Sequence, residues 1–133
     1  MEVKWTTNLS VGVEKIDEQH KIWFDKANNL FQAGKNRKSR EVIEELLQFL
    51  DEYTKEHFSD EEAYMEQIKY PGLEEQKAAH ANFIKELAKL KHDYEESGGN
   101  VAVIINANVL IINWLTQHIS SMDKQIGVYA KGL

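Results

Sequence analysis

The histidines are the residues of this chain best suited to chemistry, and five occur: His20, His57, His80, His92 and His118. Four of them fall on apolar stripes of separate helical segments. His92 lies among Lys89, Lys91, Asp93 and Glu95 and reads as a surface residue. Burying four imidazoles costs free energy unless each finds a partner, and a shared metal supplies all the partners at once. Carboxylates and an amide stand where a metal would use them. Glu61 follows His57 by four residues and Gln76 precedes His80 by four, so each pair shares a helix face. Asp123 follows His118 by five residues. On a regular helix five residues turn through ~500°, so those two side chains meet only if the helix ends or bends near Ser120-Ser121. Imidazole and carboxylate donors within a helical bundle point first to iron.

Other site chemistries fit less well. No Glu stands three residues before any histidine, so the Glu-x-x-His signature of ferritin-like di-iron proteins is missing. So are the His-Glu-x-x-His pattern of zinc hydrolases, the Gly-x-Ser-x-Gly nucleophile turn and a phosphate-cradling glycine loop. The chain contains no cysteine, which excludes disulfides, thiolate catalysis and iron–sulfur clusters.

Four helical segments must position these residues. Pro71 is the sole proline, and the breakers separate amphipathic stretches at Gly34 to Lys38, at Tyr70-Pro71-Gly72 and at Ser97-Gly98-Gly99-Asn100. The first helix is expected from Asp17, as N-cap, to Ala33, with Ile16, His20, Trp23 or Phe24, Ala27 and Leu30 or Phe31 inward. The second runs from a Ser39 cap to Gln67, with Val42, Ile43, Leu46, Leu47, Phe49, Leu50 and Tyr53 as its stripe. The third starts near Pro71 and stops at Gly98, with Leu73, Ala79, His80, Phe83, Ile84, Leu87 and Leu90 inward. The fourth runs from just after Asn100 to Ile119. Its Val, Ile and Asn are mediocre helix formers, so it is expected to depend on packing and to be the most buried of the four. Before Asp17, an extended arm over residues 5–13 alternates Leu9, Val11 and Val13. The fold class is therefore all-α: an up-down-up-down antiparallel four-helix bundle with an extended N-terminal arm, one domain over residues 1–133.

Composition narrows the partners. At 15.4 kDa and 42% hydrophobic residues the chain can bury one core. Its 16 basic and 22 acidic residues give a net charge of −6, which argues against nucleic acid and against docking on anionic membranes. The longest mostly apolar run, residues 101–115, is shorter than the ~18 residues of a membrane span and is interrupted by Asn106, Asn108 and Asn113. With no signal segment visible at Met1-Glu2-Val3-Lys4-Trp5, a cytoplasmic protein is expected. With an acidic surface and no clear exposed apolar stripe, a monomer is expected.

The pattern resembles the hemerythrin family, in particular its single-domain bacteriohemerythrins. That family has His on the first helix, His-x-x-x-Glu on the second, His-x-x-x-His on the third and His-x-x-x-x-Asp at the end of the fourth. This chain has His20, His57-x-x-x-Glu61, Gln76-x-x-x-His80 and His118-x-x-x-x-Asp123. The opening Trp5, Leu9-Ser10-Val11-Gly12-Val13 and Ile16-Asp17-x-Gln19-His20-Lys21 is similar, as are Trp114-Leu115-x-x-His118-Ile119 and the closing Tyr129-x-Lys131-Gly132. The resemblance implies two iron ions with a bridging oxo or hydroxo group, bridged also by Glu61 and Asp123. It gives His20 and His57 to the iron with the open position, where O2 binds, and His80 and His118 to the other. It implies oxygen carriage, storage or sensing rather than catalysis.

The departure is Gln76, where the family has a third histidine on the second iron. Its amide oxygen can ligate directly, it can hydrogen-bond a metal-bound water, or the site can bind iron poorly or prefer another metal. An iron pair altered in this way leaves two alternatives open, a redox enzyme acting on peroxide or NO and an iron-handling protein. Trp23, Phe24, Phe58, Ile111, Trp114, Leu115 and Ile119 are the candidates for an apolar wall around the open iron.

Overall fold

In the computed structural model, residues 5–133 are described. Met1 to Lys4, where the absence of a signal segment was read, lie outside them. The elements are a 3-10 turn Thr7–Leu9, then α1 (Glu14–Lys35), α2 (Arg40–Gln67), α3 (Leu73–Glu96), α4 (Val101–His118), a π-helical turn (Ile119–Asp123) and α5 (Lys124–Lys131). No strand occurs among the described residues. The four long helices pack α1 on α2, α2 on α3, α3 on α4 and α4 back on α1. Short connections between consecutive helices make this the expected up-down-up-down bundle.

Helix ends follow local chemistry. Ser39 accepts from the Val42 N–H at 3.3 Å, the expected cap, and Asn100 accepts from the Ala102 N–H at 2.9 Å, capping the helix that was expected to start just after it. At the end of α3, Gly98 takes φ 76°, and the Gly98 and Gly99 N–H groups donate back to Glu95 and Tyr94. That is a Schellman stop, as expected for a glycine there. The same closure ends α1 and α2 without glycine, on Arg37 (φ 54°) and Lys69 (φ 57°).

Five expectations need correction. Gly34 does not break α1 but lies inside it, buried, where an added Cβ would come 3.0 Å from Ile104. Its role is to let α1 approach α4 closely. Asp17 is not the cap, since α1 starts earlier at Glu14. Its carboxylate instead accepts from Ser10 Oγ at 2.6 Å and from the Val11 N–H at 2.8 Å, tying the arm to the helix. The arm is only partly extended, because Thr7–Leu9 curls into a 3-10 turn. On α2, Val42 and Phe49 are exposed, and the buried stripe continues instead through Thr54, His57, Phe58, Glu61 and Met65. Finally, α4 is not the most buried helix. It buries Ile104, Ile111, Ile112, Leu115 and His118 but leaves Ile105, Val109 and Leu110 at 45%, 66% and 58% exposure. Its apolar residues surround the helix, whereas the bundle covers one side. The continuous helix over residues 101–131 is long and apolar enough to cross a membrane by length and composition, though it packs here as a bundle helix.

The arm and α5 close the end of the bundle nearest Asp123. Val11 is buried, and its carbonyl passes so close to Gly127 that a Cβ there would overlap it. Tyr129 Oη donates to the Lys69 carbonyl at 3.1 Å, fixing α5 to the end of α2.

Candidate metal centre

The seven residues singled out by type and spacing are all buried: His20, His57, Glu61, Gln76, His80, His118 and Asp123 expose 5% or less each. They come from every helix of the bundle, and six fall into two overlapping groups. His20, His57, Glu61 and Asp123 form one; Glu61, His80, His118 and Asp123 form the other. Within each group the ligand atoms lie within 4.8 Å of one another.

The two carboxylates are shared in a specific way. Glu61 turns Oε2 toward His57 Nε2 (3.4 Å) and His20 Nε2 (3.6 Å), and Oε1 toward His80 Nε2 (3.1 Å). Asp123 turns Oδ2 toward His20 Nε2 (3.1 Å) and Oδ1 toward His118 Nε2 (3.1 Å). Each carboxylate thus offers one oxygen to each group. Donor separations of this size match the edges of a coordination polyhedron with bonds of about 2.1 Å, whose edges are about 3.0 to 3.4 Å.

The π-helical turn makes this possible. His118 and Asp123 would diverge on a regular α-helix, as the spacing argument required. The i→i+5 hydrogen bonding of Ile119–Asp123 brings the fifth residue back over the first. Ser121 Oγ donates to the Gln117 carbonyl at 2.6 Å, within the segment marked by Ser120-Ser121 as the place for a bend.

Hydrogen bonds outside the centre fix the histidine tautomers. Gln19 Nε2 donates to Asp60 Oδ2 at 2.8 Å, so its Oε1 faces His57 Nδ1, also at 2.8 Å. An amide oxygen only accepts, so His57 Nδ1 carries the proton. Likewise His80 Nδ1 faces Glu62 Oε2 at 2.8 Å and donates to it. In the neutral rings Nε2 is then a bare lone pair aimed at a carboxylate. Two acceptors face each other, and only a cation between them, proton or metal, makes the arrangement favourable.

Charge bears this out. Burial lowers the His20 pKa, but the carboxylates of Asp123 and Glu61 outweigh it and hold His20 at about 9. For His80 burial acts downward too, and Glu61 and Glu62 carry it above its usual value. Glu61 is opposed by desolvation and is nevertheless held well below the ordinary carboxylate range by His20, His57 and His80. The raised values of His20 and His80 show that these two rings attract a cation from within the site. Both Glu61 oxygens, Asp123 Oδ2 and the Nε2 atoms of all four histidines are buried without a hydrogen-bond partner. Orphaned acceptors converging from four helices fit a metal pair.

Gln76 joins this cluster from α3. Its Nε2 donates to Asp123 Oδ1 at 3.0 Å, while its Oε1 is buried and unpartnered. Aromatic rings pack the imidazoles from behind. Phe58 stacks on His80 at 3.8 Å and Trp114 on His118 at 4.4 Å, while Trp23 lies 4.9 Å from His57 and donates to Thr54 Oγ1. Phe83 stacks against Trp114 at 4.1 Å and completes the sleeve. Phe24, Ile111, Leu115 and Ile119, also expected around the site, are buried core.

The sequence that builds this centre matches a known family of domains. The description "Hemerythrin HHE cation binding domain" fits residues 11–130. The chain belongs to the hemerythrin family. It is 28% identical to the bacteriohemerythrin of Clostridium acetobutylicum over 127 residues, covering 91% of this chain and 95% of that one. It is 30% identical to the myohemerythrin of Sipunculus nudus over 119 residues, 90% of this chain and 86% of that one. A crystal structure of wild-type hemerythrin superposes with a TM-score of 0.84 at 27% identity, covering 96% of this chain and 97% of the other.

Against this hemerythrin frame, sequence reasoning missed Gln19, Asp60 and Glu62. Asp60 and Glu62 flank Glu61 in an acidic stretch of the kind that is usually solvated, yet both are half-buried and engaged. A signal was present for Glu62, which borders Glu61 on the helix that also carries His57. Nothing local marks Gln19 as the partner of a histidine 38 residues away. His92 is exposed, as expected.

Proposed function

We propose that this hemerythrin-family chain is a single-domain, non-haem di-iron protein that binds O2 reversibly, for carriage, storage or sensing, and works in the cytoplasm as a binding protein rather than an enzyme. The observation that carries the reading is the splitting of Glu61 and Asp123 between two histidine pairs. His20 and His57 would hold one iron and His80 and His118 the other, with Glu61 and Asp123 each offering one oxygen to each pair. When bound, an iron pair with its oxo or hydroxo bridge supplies the electrons that O2 takes up and returns.

The protein's own part is positional. Gln19 and Glu62 hold the His57 and His80 rings with Nε2 inward, which keeps these donors ready without reorganisation. Trp23, Phe58, Phe83 and Trp114 keep water from the donors and raise the electrostatic cost of losing the cations. Gln76 turns its amide N–H to Asp123 Oδ1 and keeps its Oε1 buried and unpartnered, a harder and weaker donor than imidazole.

Gln76 also motivates a second reading, in which a less tightly held second iron gives turnover of peroxide or NO, or ready iron release. Anaerobic loading with ferrous iron, followed by metal analysis, separates these. Two irons per chain that survive a mild chelator support the di-iron binding protein. One iron or none removes it, and rapid loss of iron to the chelator favours iron handling.

A further inference from the structure

No Asp, Glu, Lys or Arg occurs between Glu96 and Asp123, in a chain that is 29% charged. That neutral stretch includes all of α4, whose outer side exposes Val109 and Leu110, while the half-exposed Ile105 turns toward α1. The inner side of α4 already packs in the core, so the outer apolar residues have no role within one molecule. Beside this ridge runs a groove of about 450 Å³ between α3 and α4. Leu90, Val103, Ala107 and Leu110 line it, and Glu86, Lys89 and Asp93 stand along its α3 side.

We propose that the α3–α4 face is the contact surface of a homodimer, each copy laying its α4 ridge into the other's groove. A ridge and a groove side by side on one surface are what a two-fold contact requires. Charge favours a second copy in particular. Two chains of net charge −6 repel each other over most of their surfaces, but not across a face whose central helix is uncharged. The α3 rim carries both signs, so Lys89 of one copy has a carboxylate of the other to meet. By helix dimensions the face is roughly 27 Å by 20 Å, and with its corrugation it approaches the ~800 Å² per partner of a standard interface. A bilayer suits it less, because Asn106 and Asn113 are exposed along the helix and the charged rim would be stripped of water. The ridge lies about 12 Å or more along α4 from His118, so the contact stands apart from the metal centre and does not depend on its assignment.

Sedimentation velocity of the full chain over a roughly hundredfold concentration range tests this. The expected result is a monomer–dimer equilibrium whose dissociation constant rises at least ~10-fold in Leu110→Glu and in Val109→Glu, with Val128→Glu, an exposed apolar residue on α5, unchanged. Circular dichroism checks that the variants remain helical. Asn106→Lys, at an already polar exposed position, gives the same readout if Leu110→Glu loses helicity. A monomer at every concentration overturns the proposal, as does a dimer indifferent to these substitutions. Flotation of a monomeric chain with phosphatidylcholine vesicles would also overturn it and assign the face to lipid.

Discussion

His57 and His80 each use Nδ1 to grip a neighbour and leave Nε2 for the centre, and the two grips differ. His80 is held by a carboxylate, whereas His57 is held by Gln19, itself anchored on Asp60. Replacing Gln19 by Ala frees the His57 ring to turn and leaves Asp60 without that donor. The expected result is iron affinity at the His20–His57 position weaker by roughly 10- to 100-fold, read by competition with a chelator, with helicity unchanged. At Gln76 the expectation concerns control of the second iron. Gln76→His replaces a hard amide oxygen by imidazole, so the oxygenated form should autoxidise more slowly than the parent, followed by decay of its visible band. Equal or faster decay would show that Gln76 does not set that rate. The ligand types and their i+4 pairs were legible in the sequence because helical spacing alone puts them on one face. Gln19, Asp60 and Glu62 were not, because a hydrogen bond between helices leaves no periodic trace in either.

At the scale of elements, the helices were readable from breakers and stripes, and the errors have physical causes. Gly34 was taken for a breaker because glycine both ends helices and permits close approach, and only the packing of α4 on α1 decides between them. The Schellman stops on Arg37 and Lys69 use residues with no preference for positive φ, so no composition signal announces them. Asp123 was legible in an instructive way: its five-residue spacing from His118 demanded an irregular helix, and the π turn supplies it. That turn leads straight into α5, where Gly127 accommodates the Val11 carbonyl. Gly127→Ala must push the arm away, and the expected destabilisation is about 1–3 kcal/mol, the usual cost of overpacking, measured by urea unfolding. A change under ~0.5 kcal/mol would mean that the arm is not held there.

For the whole molecule, bundle topology follows from four amphipathic segments with short connections, and the sequence was enough to state it. Burial of α4 was misjudged because an apolar composition does not say which side a helix turns to its neighbours. Its neutral outer face became visible only when Val109 and Leu110 proved exposed, and an apolar stripe of that kind was not evident in the sequence. The bundle's central feature is that four helices deliver orphaned acceptors to one buried volume, with two carboxylates common to both histidine pairs. The most direct test of the account is optical. Anaerobically prepared ferrous protein is exposed to air and then evacuated, through repeated cycles, while the visible spectrum is followed. The account expects a charge-transfer band that appears with O2, fades under vacuum and returns undiminished on readmission of air. A band that never forms, or one that forms once and cannot be removed by evacuation, would contradict reversible O2 binding at this centre.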